Sequence, residues 1–287
     1  MALIRRTAGA LAAAGLGYLG YRAVQRLREQ SLAGEVALVT GGSRGLGLLI
    51  ARELADEGCR LAICARDEVE LQRARKELAD RGAEVIAVRC DVADERDVRS
   101  MIERVRETYG RIDLLVNNAG IIQVGPIETM TREDFERTMA VNFWGTVHTT
   151  LAVLPEMRER GRGRICNITS IGGKVAVPHL LPYDCAKFAA VGFSEGLHAE
   201  ARKDGIFVTT IVPGLMRTGS PVNALFKGRA REEMAWFSLG DATPATAMSA
   251  QRAAKRIVAA IKRREAYVTL SWQAKLLRAL HDAAPGA

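Results

Sequence analysis

The sequence predicts an α/β fold, a doubly wound parallel sheet covered by helices on both faces. Two observations predict it. From Gly34 onward, short apolar runs alternate with amphipathic stretches. The first run also ends in a glycine-rich turn, Thr40-Gly41-Gly42-Ser43-Arg44-Gly45-Leu46-Gly47, that opens the next stretch. Alternation of this kind returns each strand to a parallel sheet through right-handed crossovers. No internal repeat, low-complexity tract or interdomain linker breaks the pattern. One domain, residues 34–287, therefore follows an N-terminal extension, residues 1–33.

The elements follow in order. The strand candidates, each an apolar run of strand length, are 36–40, 60–64, 84–89, 113–116, 163–168, 207–212 and 266–270. A helix opens near Leu46, directly after the glycine turn. Helical spacing continues over 68–80, 93–109 and 132–158. The stretch 182–204 is also helical, which sets Tyr183 and Lys187 near a helix N-terminus. Ser271 can cap a short last helix with Trp272, Leu276 and Leu280 on one side, packing on the domain or touching a membrane.

With 48% hydrophobic and 26% charged residues, the chain can bury a sizeable core. The five cysteines, Cys59, Cys64, Cys90, Cys166 and Cys185, are an odd count without paired spacing. They predict buried free thiols in a reducing compartment. The four histidines form no ligand pattern, so no metal site is expected. The net charge of +8 is uneven: about +4 in residues 1–33, about +6 in 227–287 and about −2 between. Basic ends predict an anionic surface near the termini. Membrane is preferred to nucleic acid, because no nucleic-acid motif is present and the first end is also apolar.

Residues 7–21 carry no charge and are rich in Ala, Gly and Leu; Arg5 and Arg6 precede them, and Arg22, Arg26 and Arg28 follow. Fifteen helical residues span roughly 22 Å, less than a hydrocarbon core of roughly 30 Å. Three readings stand: a short membrane anchor with snorkelling arginines, a cleaved signal peptide, or a helix packed on the domain or a partner. The anchor is the expectation carried forward, with the domain on the cytoplasmic side.

The glycine turn suits a dinucleotide. Glycines let backbone approach a pyrophosphate, and the following helix N-terminus supplies amide donors. An acid at the end of the second strand normally grips the ribose hydroxyls of NAD. Here that end reads Ala65-Arg66-Asp67, and Arg44 adds a second cation. Two guanidinium groups suit a 2′-phosphate, so NADP(H) is favoured over NAD(H). A register shift of two would instead present Asp67 to the ribose. Asp91-Val92 follows the third strand, where an adenine would lie. Asn117-Asn118-Ala119-Gly120 follows the fourth, where small and amide residues pass close to a ribose and tie strands together.

Tyr183 and Lys187, four residues apart, share a helix face. An ammonium beside a phenol favours phenolate and is expected to lower the tyrosine pKa. A proton donor so tuned suits carbonyl reduction.

Together these motifs resemble the short-chain dehydrogenase/reductase family in its single-domain form. The match covers about residues 34–270: Thr-Gly-x-x-x-Gly-x-Gly, Asp-Val, Asn-Asn-Ala-Gly, an Asn in the long helix, Ser, Tyr-x-x-x-Lys and Pro-Gly, in family order. The resemblance implies a Rossmann-type sheet of seven strands and a nicotinamide dinucleotide held by Gly41, Ser43, Arg44, Gly45, Leu46, Gly47, Arg66, Asp91, Val92, Asn118, Ala119 and Gly120. It implies that Tyr183 is the general acid/base. Lys187 would hold the nicotinamide ribose and Ser170 the substrate oxygen, with Asn142 holding a water of a proton relay. Pro213, Gly214 and Thr218 would flank the nicotinamide. Pairing through the two long helices implies a homodimer or homotetramer.

Around this set the loops are apolar: Ile121, Ile122 and Val124; Val175, Val177, Leu180 and Leu181; Leu215, Met216, Leu225, Phe226, Met234, Trp236 and Phe237. They point to a small lipophilic carbonyl or alcohol as substrate, with part of the set serving as core. Residues 216–244 have the length of a mobile lid. His179 reads as a surface-loop histidine near that pocket. The alternative function is a catalytically silent NADP(H)-binding, membrane-associated scaffold.

Overall fold

The computed structural model describes residues 29–217, 223–242 and 247–284. Among the described residues, seven parallel strands form the central sheet, in the order Tyr267–Thr269, Ile206–Val212, Gly163–Ile168, Leu114–Asn117, Val36–Thr40, Arg60–Ala65 and Val85–Arg89. β1 (Val36–Thr40), α1 (Gly45–Asp56), β2 (Arg60–Ala65), α2 (Glu68–Asp80), β3 (Val85–Arg89), α3 (Glu95–Tyr109) and β4 (Leu114–Asn117) build the first half. A two-residue β5 (Gln123–Val124) precedes α4 (Arg132–Met139), α5 (Gly145–Glu159), β6 (Gly163–Ile168), α6 (Leu181–Ala201) and β7 (Ile206–Val212). Short β8 (Met216–Arg217) and β9 (Leu225–Phe226) lead to α7 (Ala230–Ala242). Then come β10 (Met248–Ser249), α8 (Ala250–Lys262), β11 (Tyr267–Thr269) and α9 (Trp272–Ala283).

Alternation along each strand splits the core in two. Ala37, Val39, Leu61 and Ile63 face α1, α2 and α8. Val36, Leu38, Ala62 and Cys64 face α3 and α5. Both faces of the sheet are therefore dry, as parallel sheets require. A buried polar chain ties the middle strands to the helices. Asn117 Nδ2 donates to Asn167 Oδ1 at 2.9 Å, Asn167 Nδ2 to Ser194 Oγ at 2.9 Å, and Ser194 meets Thr210 at 2.7 Å.

The long helix expected over 132–158 is interrupted. A π-helical turn, Ala140–Trp144, separates α4 from α5 and carries Asn142. Such insertions displace one side chain from the regular ladder and often mark functional positions. Residues 29–33, assigned to the extension by sequence, pack on the domain: Leu32 is fully buried and Glu29 pairs with Arg263 at 2.6 Å. The anchor candidate, residues 7–21, lies outside the described residues. No described helix is long and apolar enough to cross a membrane. Ser271 caps α9 by accepting from Ala274 N at 3.1 Å. The packed residue there is Ala274, while Trp272, Leu276 and Leu280 face outward, contrary to a packed apolar side. Four cysteines are buried and free, but Cys185 is exposed, because its helix position faces away from the sheet.

Candidate active site

The C-terminal ends of β1, β2, β3, β4, β6 and β7 open onto a cleft of about 1500 Å³. It straddles β1 and β4, where the winding order reverses, the place where open α/β sheets bind ligands.

The glycine turn forms one wall. Gly41 and Gly45 hold φ of 63° and 55°, in the left-handed region. A Cβ on Gly47 would lie 2.1 Å from the Gly41 carbonyl oxygen and 2.5 Å from Asn118 Nδ2. Asn118 Nδ2 donates to the Thr40 and Gly41 carbonyls at 3.1 and 3.2 Å, while Thr40 Oγ1 accepts from Asn118 N and Ala119 N. The turn is thus fastened to the end of β4, as the sequence suggested for that amide. No side chain caps the start of α1, where Arg44 is the N-cap, so its first amides point into the cleft. A backbone cradle at an uncapped helix N-terminus fits the pyrophosphate of a dinucleotide.

Arg44, Arg66, Asp91 and Val92 line the far end. Asp67 also borders it, but its carboxylate accepts from Glu70 N at 2.8 Å as the N-cap of α2. β2 ends at Ala65, and Asp67 caps the next helix through one oxygen while still lining the cleft. One residue escaped the sequence reading. Glu70, on α2, reaches Arg44 at 3.0 Å. Its spacing from the turn, 26 residues, carries no local signal.

At the other end, Ser170, Tyr183, Lys187, Pro213 and Gly214 line the same cleft. Ser170 stops β6 and caps a short turn by accepting from Gly172 N at 3.1 Å. Lys187 is buried and donates to the Ile168 carbonyl at 3.2 Å. A Cβ on Gly120 would lie 2.7 Å from Asn142 Oδ1 and 3.7 Å from Lys187 Nζ, so glycine lets these three meet. Asn142 both accepts from Ile121 N and donates to Ile121 O, at 2.9 Å each. Its amide locks the loop after β4. Gly214 packs under Ser271 and Ala274 of the last helix. Thr218 lies outside the described residues.

One expectation is corrected. Burial pushes the Tyr183 phenol up to about 12, against the opposing hydrogen bond from Ser170. Lys187 does not lower it. Its Nζ sits over the Tyr183 ring, 5.7 Å from the centroid, and burial pushes the ammonium itself down to about 8. Sharing a helix face brought the two side chains together but aimed the cation at the ring. Asp184, the next residue, is almost fully buried, and desolvation raises its carboxyl to about 7.

Of the apolar loop residues, Ile121, Ile122, Val177, Leu180, Leu215, Met216, Leu225, Trp236 and Phe237 line the cleft. Val124 is buried beside β9, Val175 packs near Ile171 and Val212, and Phe226 meets Phe237 edge-on. Leu181 and Met234 are exposed. His179, at φ 67°, bonds Glu233 at 2.7 Å and leans on Trp236, so it holds α7 over the cleft.

Comparison with known proteins gives one answer. The short chain dehydrogenase family model matches residues 35–225. A dehydrogenase/reductase SDR family protein 7-like of Anopheles gambiae is 38% identical over 252 residues, covering 86% of this chain and 78% of the relative. A short chain dehydrogenase/reductase from Burkholderia phymatum, solved with NAD, superposes with a TM-score of 0.83 at 24% identity, covering 88% of this chain and 95% of that one. A variant actinorhodin polyketide ketoreductase, solved with NADPH, gives 0.73 at 34% identity, covering 83% and 95%.

Proposed function

The chain belongs to the short-chain dehydrogenase family of oxidoreductases, and from that premise we propose that it reduces the carbonyl of a lipophilic substrate, reversibly oxidising the alcohol. One observation carries the reading: Ser170, Tyr183 and Lys187 converge on one end of a cleft whose other end is the glycine cradle. A nicotinamide dinucleotide, when bound, supplies or accepts the hydride. The chain's own residues handle the oxygen and its proton. Ser170 and Tyr183 donate hydrogen bonds to the carbonyl oxygen as negative charge grows there, and Tyr183 gives up its phenolic proton. Preorganised donors of this kind are worth a few kcal/mol each, about 3–4 in the best-studied case. Lys187 then returns a proton to Tyr183, a task that its pKa near 8 suits. Asn142, beside Lys187 across Gly120, anchors the relay and keeps the loop wall in place.

NADP(H) is the preferred cofactor in this reading. Arg44 and Arg66 line that end of the cleft, and their guanidinium groups support a 2′-phosphate. The apolar wall supports a lipophilic substrate. Exposed Trp144, Leu151 and Phe188 on or beside the two long helices support pairing of two copies through that face. The charge-free stretch at residues 7–21 supports attachment to a membrane, with the domain on its cytoplasmic side. Deleting residues 1–28 should release the protein from the membrane fraction with kinetics unchanged.

Tyr183→Phe tests the chemistry. Turnover of ketones and aldehydes should fall by about 10²–10⁴ while dinucleotide binding persists. Activity indifferent to the change removes the mechanism.

A further inference from the structure

We propose that Glu70 sets how strongly this site prefers NADP(H) over NAD(H), by holding the Arg44 guanidinium that a 2′-phosphate needs; the inference rests on the dinucleotide reading above. Glu70 is the third residue of α2. A glutamate in that position ordinarily turns back toward its own helix cap. Here the cap is Asp67, and the Glu70 side chain leaves the helix. It places its two oxygens 3.0 and 3.2 Å from Arg44 Nη1, and one of them 3.5 Å from Ser43 Oγ. All three residues line the cleft at its ribose end.

The second cation there is also opposed. Arg66 stands 3.9 Å from Asp91. Two guanidinium groups therefore share this end of the cleft with three carboxylates, those of Asp67, Glu70 and Asp91. Counting the two arginines alone overstates its affinity for a dianion.

The two cofactors meet Glu70 differently. A 2′-phosphate has to draw Arg44 off Glu70 and then tolerate an uncompensated carboxylate beside it. An unphosphorylated ribose can leave the pair intact and donate its hydroxyls to Glu70. The pair is half-exposed, 51% for the Arg44 side chain and 28% for Glu70, so it is weak enough to exchange. Glu70 thus penalises NADP(H) selectively and leaves NAD(H) room to bind.

The test uses the full-length protein and its Glu70→Gln variant, which keeps the shape and removes the charge. Calorimetric dissociation constants are measured for NADPH, NADH and adenosine 2′,5′-bisphosphate. NADPH and the bisphosphate should tighten about five- to tenfold, the size of one charge-assisted contact. NADH should stay within about twofold or weaken, since its hydroxyls lose a charged acceptor. In an Arg44→Ala background only the direct repulsion between the Glu70 carboxylate and the phosphate is left to relieve, so the tightening should be clearly smaller than with Arg44 present. An unchanged NADPH/NADH ratio, or equal tightening without Arg44, overturns the proposal. A wild-type protein that binds neither dinucleotide overturns the dehydrogenase reading as well. One that binds both, with a ratio deaf to Glu70, sinks this inference alone.

Discussion

Asp184 lies inside the Tyr-x-x-x-Lys segment, yet its carboxylate is 2% exposed. One oxygen accepts from Val177 N at 2.7 Å, while the other, among the described residues, has no partner. Desolvation raises its pKa from 3.8 to about 7. The folded state therefore holds this proton more tightly than the unfolded chain. Its contribution to stability is fully present below about pH 4 and is lost as pH rises through about 7. Three pKa units at about 1.4 kcal/mol each make roughly 4 kcal/mol over that window. Asp184→Asn keeps an acceptor for Val177 N and cannot ionise. Urea unfolding of both proteins at pH 5, 6, 7 and 8 gives a difference curve in which fixed packing costs cancel. The variant should gain on wild type by roughly 1.4 kcal/mol per pH unit between pH 5 and 7, then level off. In melting temperature that gain is about 5–10 °C in all. A difference constant to within about 0.5 kcal/mol across the series would refute the burial argument, because a solvated carboxylate has finished titrating by pH 5.

Other outcomes follow from the same geometry. Gly47→Ala drives a methyl to 2.1 Å from the Gly41 carbonyl, so the turn must open; dinucleotide affinity should drop at least about tenfold by calorimetry, and a wild-type constant refutes the cradle. Asn167→Leu strips partners from Asn117 and Ser194 inside the core, which should cost about 2–4 kcal/mol in urea unfolding. Lys187 has the opposite linkage to Asp184. Its folded pKa, near 8, lies below the free value of 10.5, so the unfolded chain binds more protons in between and stability rises with pH over that window. Lys187→Met should remove a rise of up to about 3 kcal/mol between pH 8 and 10.5, visible in thermal scans.

Much of the fold was legible. Strands 36–40 and 163–168 and helix 68–80 match their observed bounds, since apolar runs and caps are local signals. The π turn at Asn142 was not legible, because the stretch from 132 to 158 keeps helical spacing on both sides of one inserted residue. Nor was the outward side of α9. An apolar stripe reads as core, and a single alanine, Ala274, makes the buried contact instead.

The motifs marked many of the residues that border the cleft, because the glycine turn and the amides follow strand ends that the topology gathers on one edge, but not Glu70, which comes from a helix. The charges those residues feel were decided in three dimensions. Burial raised the Tyr183 phenol against the Ser170 hydrogen bond, and a carboxylate from a distant helix turn joined Arg44. Desolvation and long-range pairing depend on which surfaces meet across the fold, and spacing along a chain does not record that.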